Sequence, residues 1–233
     1  MKDILNTVEA PDFIKKEFEA EDWYMIVSKL KKLISENIKP NNPVIDNVII
    51  KGDVFIGENC IIGSYVVIEG PVYIGNNVEI GSHAHIRAGS IISDNCVVGY
   101  TAGTKNSLMM SGAKIANHTF LGDSIMCPRS RLGGHAETAN RRFDQGEIAW
   151  NFMDGPKSTG LDKIGSIIGE DSRIAGGVMV SPGTVIGKNT FISSGANVSG
   201  YIPEGKFVKT NTQIELRDNN FRGTLHQKST LAD

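Results

Sequence analysis

The chain has 233 residues, 26 of them glycine, with 7% aromatic residues and a formal net charge of −2. A charge this close to zero gives no electrostatic footprint for nucleic acid or for an anionic membrane. The apolar runs are far shorter than a membrane span, and the opening MKDILNTVEAPDF lacks the apolar core of a secretion signal. The expectation is a cytoplasmic protein with neither nucleic-acid nor membrane partners.

Residues 1–43 form the first unit. Ile26, Leu30, Leu33 and Ile34 recur at helical spacing, with Trp23 one turn earlier. Asp22 is a candidate cap, and Pro40 and Pro43 end the pattern. The reading is a helix over about 22–38 and a shorter one over 12–19.

From Val44 a hydrophobic anchor returns every sixth residue: Val44, Ile50, Ile56, Ile62, Ile68, Ile74, Ile80, Ile86, Ile92 and Val98. A second run comes at Ile168, Ile174, Val180, Ile186, Ile192 and Val198. Four residues after most anchors stands a small or β-branched residue, such as Val54, Val66, Ala84 or Ala102. A period of six fits neither a helix nor a hairpin meander; it marks a parallel β-solenoid with three short strands per coil of about 18 residues. Glycine and short polar residues between strands permit the corners. The fold class is therefore all-β, with the solenoid over about 44–206. A bare terminal coil would be an open sheet edge, so the helical N-terminal segment is expected to cap the end of the solenoid.

The pattern weakens between 106 and 167. Anchors are traced there at Thr104, Met110, Ala116, Leu121, Met126 and Leu132, with two spacings shrunk to five, and residues 137–163 carry none. A segment that leaves a rigid repeat is where function concentrates. The tail, 207–233, is polar and irregular apart from Phe221 and reads as an arm or a loose end. Cys60 and Cys96 take inward positions as core filler, and Cys127 falls in the irregular stretch; no disulfide framework is expected.

Arg87 and Lys105 lie one coil, 18 residues, apart. They should stack about 4.8 Å apart on one face, where two cations repel unless an anion lies between them. A phosphate held by the arginine fork fits that place; Glu69, one coil earlier, offers a charged ladder instead. His83, His118 and His135 project to one face when hexads are counted through the irregular zone. No H-x(3–5)-H pair accompanies them, so no metal is expected. A single histidine acting as general base, taking the proton of an attacking amine, is the preferred role.

The segments ANHTFLGD (116–123) and TANRRFD (138–144), with the hexads before them, resemble the acetyltransferase half of the bifunctional N-acetylglucosamine-1-phosphate uridylyltransferase family. They are still more similar to its archaeal-type sugar-1-phosphate nucleotidylyltransferase relatives, over roughly 80–206. The resemblance implies a left-handed parallel β-helix, a homotrimer with sites between subunits, acetyl-CoA as donor and an amino-sugar phosphate as acceptor. It puts Arg87 and Lys105 on the basic sugar-phosphate contacts, Asn140 at the acceptor site, and Gly134, Gly176 and Ser194 along the acetyl-CoA groove.

The departures from the family are informative. The family's catalytic histidine aligns with Asn117, and His118 stands one residue later; the family's tyrosine is Phe120, and an asparagine supporting the acceptor is Arg131. An amide is no general base at neutral pH, so His118 takes the role if the turn shifts by one residue, with His135 in reserve. No nucleotidylyl transfer is expected of this chain alone, since the 43 residues before the solenoid hold no glycine for a nucleotide loop; a partner would have to supply that half. The reading is an acyl-CoA-dependent transferase that acetylates an amino group of a sugar phosphate or nucleotide sugar. The rivals are a sugar-phosphate-binding solenoid that has lost its base, and a metal enzyme like the γ-class carbonic anhydrases.

Overall fold

The computed structural model describes residues 8–20, 22–211 and 213–218. Three eight-stranded parallel sheets run the length of the solenoid, and each strand inside a sheet pairs with the strand one coil before and one coil after. We name them faces A, B and C. One coil is His85–Arg87 on face A, Ile91–Ile92 on face B and Val97–Val98 on face C. The hexad anchors fill the interior: Ile68, Ile74, Ile80, Ile86, Ile92 and Val98 are all buried in one continuous core with Val66, Val78, Ala84 and Cys96. Val44 is not an anchor; it is fully exposed, and Ile45 packs against the core instead.

Many corners pass through one residue in the left-handed backbone region. Between faces B and C asparagine often takes that position, at Asn59, Asn77 and Asn95, because its short polar side chain tolerates positive φ.

The count through the irregular zone is corrected at two anchors. Met109 pairs with Ile92, and Ile115 with Val98, so these residues point inward in place of Met110 and Ala116. Met110 is buried on the outside, beneath the helices. The two five-residue spacings run from Thr104 to Met109 and from Leu121 to Met126, each where the chain turns from face A to face B. Those short corners carry Asn106 and Asp123 at positive φ.

The N-terminal elements are helix α1 (Asp12–Lys15), continued as a 3₁₀ turn to Glu19, and α2 (Ile26–Asn37), led by a 3₁₀ turn over Trp23–Met25. Asp22 makes no capping hydrogen bond; its carboxylate meets Lys29 Nζ at 3.4 Å. The helices lie along the side of the solenoid rather than over its open end. Ile26, Leu30 and Ile34 pack on Ile91, Leu108, Ile125 and Ile167, the outward residues of face B. Strands on that face are apolar on both sides, as buried parallel strands are, so they need a cover. The open edge at Val54–Ile56 is sealed by Asn41 and Asn42. Their side-chain oxygens accept the Ile56 and Val54 N–H groups at 3.0 and 2.9 Å.

Glu137–Thr138 is still a strand of face A, paired with Phe120 and with Met179. The excursion therefore begins after it. It forms a small hairpin, Trp150–Phe152 with Gly155–Lys157, and its Ile148, Trp150 and Phe152 join the helix-covered cluster. Trp150 Nε1 donates to the Tyr24 carbonyl at 3.0 Å. Cys127 is also buried there and is part of a regular coil. At the far end Phe207–Val208 pairs with Phe191–Ile192, so the solenoid runs slightly past 206. Phe221 lies outside the described residues.

Candidate active site

The corner from face C to face A differs from the others. Between Asn47 and the later Gly177 and Gly195 its positive-φ column reads Tyr65, His83, Thr101, His118, His135; histidine is enriched there as asparagine is, whereas tyrosine and above all β-branched threonine are not. The side chains form a ladder. Tyr65 stacks on His83 with centroids 5.1 Å apart, Tyr100 stands edge-on to His83 and His118, and His118 stacks on His135 at 4.8 Å and 21°. Stacked rings present faces to one another, whereas metal ligation needs ring nitrogens converging on a point. Among the described residues no group of three His, Cys, Asp or Glu side chains has metal-binding geometry.

His118 and His135 open on a cleft of about 400 Å³ on the face A side, lined also by Thr101, Gly103, Phe120 and Glu137. Asn117 is engaged otherwise: its Oδ1 accepts the Tyr100 N–H at 3.0 Å, a coil-to-coil corner bond. Of the two adjacent residues, His118 is the one that borders the cleft. Its Nδ1 is in short contact with Thr101 Oγ1. The Phe120 ring lies over two glycines; a Cβ on Gly122 would meet Phe120 Cε1 at 2.6 Å, and one on Gly103 would meet Phe120 Cδ2 at 3.4 Å.

Arg87 and Lys105 are register partners on face A, as their spacing predicts. They stand two residues along the strand from the cleft-lining column, roughly 7 Å away. Lys105 finds an anion within the protein, on the coil after it and not between it and Arg87. Lys105 Nζ reaches Asp123 Oδ2 at 3.3 Å, and Asp123, only 4% exposed, also accepts Asn106 Nδ2 at 2.8 Å and Asn140 Nδ2 at 2.5 Å. Asn106 Nδ2 also reaches the Val27 carbonyl of α2. One buried carboxylate thus fixes Lys105 and Asn140 together, while Arg87 has no ion-pair partner among the described residues. Glu69 reaches His85 Nε2 at 3.1 Å and Lys51 Nζ at 3.9 Å.

On the face C side of the same corner runs a groove of about 530 Å³ lined by Gly133, Gly134, Gly176, Ser193, Ser194 and Arg131 among others. Gly134, Gly176 and Ser194 succeed one another coil by coil, linked by the bond from Gly177 N–H to the Gly134 carbonyl and from Gly195 N–H to the Gly176 carbonyl. A Cβ on Gly176 would come within 3.0 Å of that Gly134 oxygen, so the floor is bare backbone. Arg131 lies here, in register between Lys114 and Arg173, on the opposite side of the corner from Arg87 and Lys105.

Three cleft or network residues escaped the sequence reading. Asp123 stands in the quoted LGD, where the short corner hides its inward turn. Thr101 and Glu137 carry no motif; only the corrected coil count brings them beside His118.

A three-faced parallel solenoid built on hexads defines the class of hexapeptide-repeat β-helix proteins, here with a histidine lining a cleft at one corner. The model of the bacterial transferase hexapeptide (six repeats) matches residues 165–200, and that of the GMPPB C-terminal domain matches 68–147. The uncharacterized acetyltransferase YaiX of Escherichia coli O6:K15:H31 (strain 536) is 35% identical over 83% of this chain and 86% of its own length. The bifunctional sugar-1-phosphate nucleotidylyltransferase/acetyltransferase of Sulfurisphaera tokodaii is 33% identical over 90% of this chain, which spans 54% of that relative. The solved structure of LpxA from Acinetobacter baumannii shares the fold, with a TM-score of 0.57 at 15% identity over 71% of this chain and 64% of that one. The chain belongs to the hexapeptide-repeat acetyltransferase family. Among the described residues no helix is long and apolar enough to cross a membrane.

Proposed function

We propose that this protein transfers an acetyl group from acetyl-CoA to the amino group of a sugar phosphate or nucleotide sugar. The observation that carries the reading is the position of His118, which lines a polar cleft and stands one coil before a glycine-floored groove on the other side of the same corner. A bare backbone floor suits a thin pantetheine arm, so Gly134, Gly176 and Ser194 would hold the donor, with Arg131 near its charged end. Arg87 and Lys105 would bind the acceptor's phosphate on face A, and Asn140, steadied by Asp123, would orient the sugar.

In the reaction His118 accepts a proton from the acceptor's ammonium or amine. The freed nitrogen attacks the thioester carbonyl, and collapse of the tetrahedral adduct expels the CoA thiolate, which takes up a proton. Two subunits of a homotrimer would enclose each site. The engagement of Asn117 with the Tyr100 backbone supports the one-residue shift of the base from the family position.

The test is thiol release from acetyl-CoA with glucosamine-1-phosphate and a panel of amino-sugar phosphates, wild type beside His118→Ala. Turnover abolished by the substitution supports the transferase and its base. Absence of turnover with every acceptor, together with thermal stabilisation by sugar phosphates, would favour a binding protein instead.

A further inference from the structure

We infer that Thr101 is a positioning residue: its hydroxyl accepts the His118 Nδ1 proton and so fixes the imidazole with a bare Nε2. The inference rests on the role of His118 proposed above and adds the element that sets its tautomer.

Two observations meet at this residue. The first is conformational. Thr101 has φ +54°, and a β-branched residue in the left-handed region is a genuine outlier. The equivalent corners later in the solenoid use Gly177 and Gly195, and the B-to-C corners on either side of Thr101 use Asn95 and Gly112. Nothing in the backbone calls for threonine here. The second is chemical. Thr101 Oγ1 stands 2.7 Å from the Tyr100 carbonyl oxygen, which can only accept, so the single hydroxyl proton is committed there. The short contact from the same oxygen to His118 Nδ1 must then be closed by a proton on the nitrogen. An imidazole with Nδ1–H has its lone pair on Nε2, the nitrogen able to take a proton from a substrate amine. The ring is held on its other sides by Tyr100, edge-on, and by His135, stacked. A strained residue with no structural reason for its identity, bonded to the candidate base, is the pattern expected of an orienting partner.

Three variants separate the contributions. Thr101→Val keeps the branched shape and the strain and removes the hydroxyl; Thr101→Ser keeps the hydroxyl and relieves the branch; Thr101→Asn suits the left-handed backbone but replaces the hydroxyl. The expected result is a kcat lowered about 10- to 100-fold in Thr101→Val, by analogy with the loss when the outer-shell partner of a metal-bound histidine is removed. The KM values and Tm should stay near wild type. Thr101→Ser should restore kcat, and Thr101→Asn should raise Tm while losing activity. Nitrogen-15 NMR of the His118 ring, identified by difference from His118→Ala, should show the Nδ1–H form in wild type and the Nε2–H form in Thr101→Val.

A wild-type His118 in the Nε2–H form, or a Thr101→Val enzyme with unchanged kcat and pH profile beside an inactive His118→Ala, overturns the assignment of Thr101. Full activity of His118→Ala, with the tautomer change still seen, overturns the base and leaves the positioning contact standing.

Discussion

Replacing Asp123 by asparagine isolates one charge at the heart of the candidate site. The backbone tolerates the change, because φ at this residue is +48° and asparagine accepts that conformation as readily as aspartate. The shape is kept, and what is lost is the anion facing Lys105 Nζ at 3.3 Å, together with one of the amide contacts, since an amide group offers a single acceptor oxygen. Breaking a fully buried pair costs about 3–5 kcal/mol. The Lys105 side chain is 23% exposed and recovers some hydration, which brings the expectation down to about 2 kcal/mol, near the value for a hydrogen bond to a charged group. For a chain of this size that corresponds to a Tm lower by about 4–8 °C. Equilibrium urea denaturation measures the stability directly, and the same preparations give KM for the acceptor, which should rise as Lys105 and Asn140 lose their common anchor. A stability change below about 0.5 kcal/mol with an unaltered acceptor KM would refute the view that this carboxylate organises the site.

Other expectations come from separate parts of the molecule. Arg87→Ala should raise KM for a phosphate-bearing acceptor by about 10- to 100-fold, as loss of a charge-assisted contact does, while leaving KM for acetyl-CoA unchanged in initial-rate assays. Gly176→Val places carbon against the Gly134 carbonyl and narrows the groove; isothermal titration should show weakened CoA binding with the fold retained by circular dichroism. Burial pushes the Cys96 thiol up to about 12 and raises Cys127 as well, so both should resist iodoacetamide at pH 8 while half-buried Cys60 reacts slowly; denaturant should expose all three to mass-spectrometric labelling. Ile86→Ala, in the middle of the core and fully buried, should cost about 2–5 kcal/mol in urea denaturation.

The hexads made the three-faced solenoid legible because each anchor is a local choice repeated without interruption from Ile50 to Val98. The count then slipped at Met110 and Ala116. A corner one residue short leaves an apolar residue on either side of the true inward position, and Met109 and Met110 are alike in sequence. Register partners resolve what composition cannot. The place of the helices was legible in principle. The doublets Ile91-Ile92, Leu108-Met109, Ile125-Met126 and Ile167-Ile168 follow one another coil by coil on face B, and the outer member of each is buried in the cluster that α2 joins. Reading only the inner members assigned the helices to the open end. For the site, the Arg87–Lys105 stack was readable from spacing alone. Asp123 and Thr101 were not, because their importance comes from the corner conformation and from neighbours one coil away, which a linear pattern does not display.

Asn41 and Asn42 have a consequence beyond local hydrogen bonding. A parallel solenoid is a stack in which every coil is a template for the next, and a second molecule offers coils of the same width. By answering the N–H groups of Val54 and Ile56 with side-chain amides, these two residues imitate an underlying strand without offering a further one. At this end of face B they act as a terminator written into the sequence just ahead of the first coils, closing one edge strand to a further molecule.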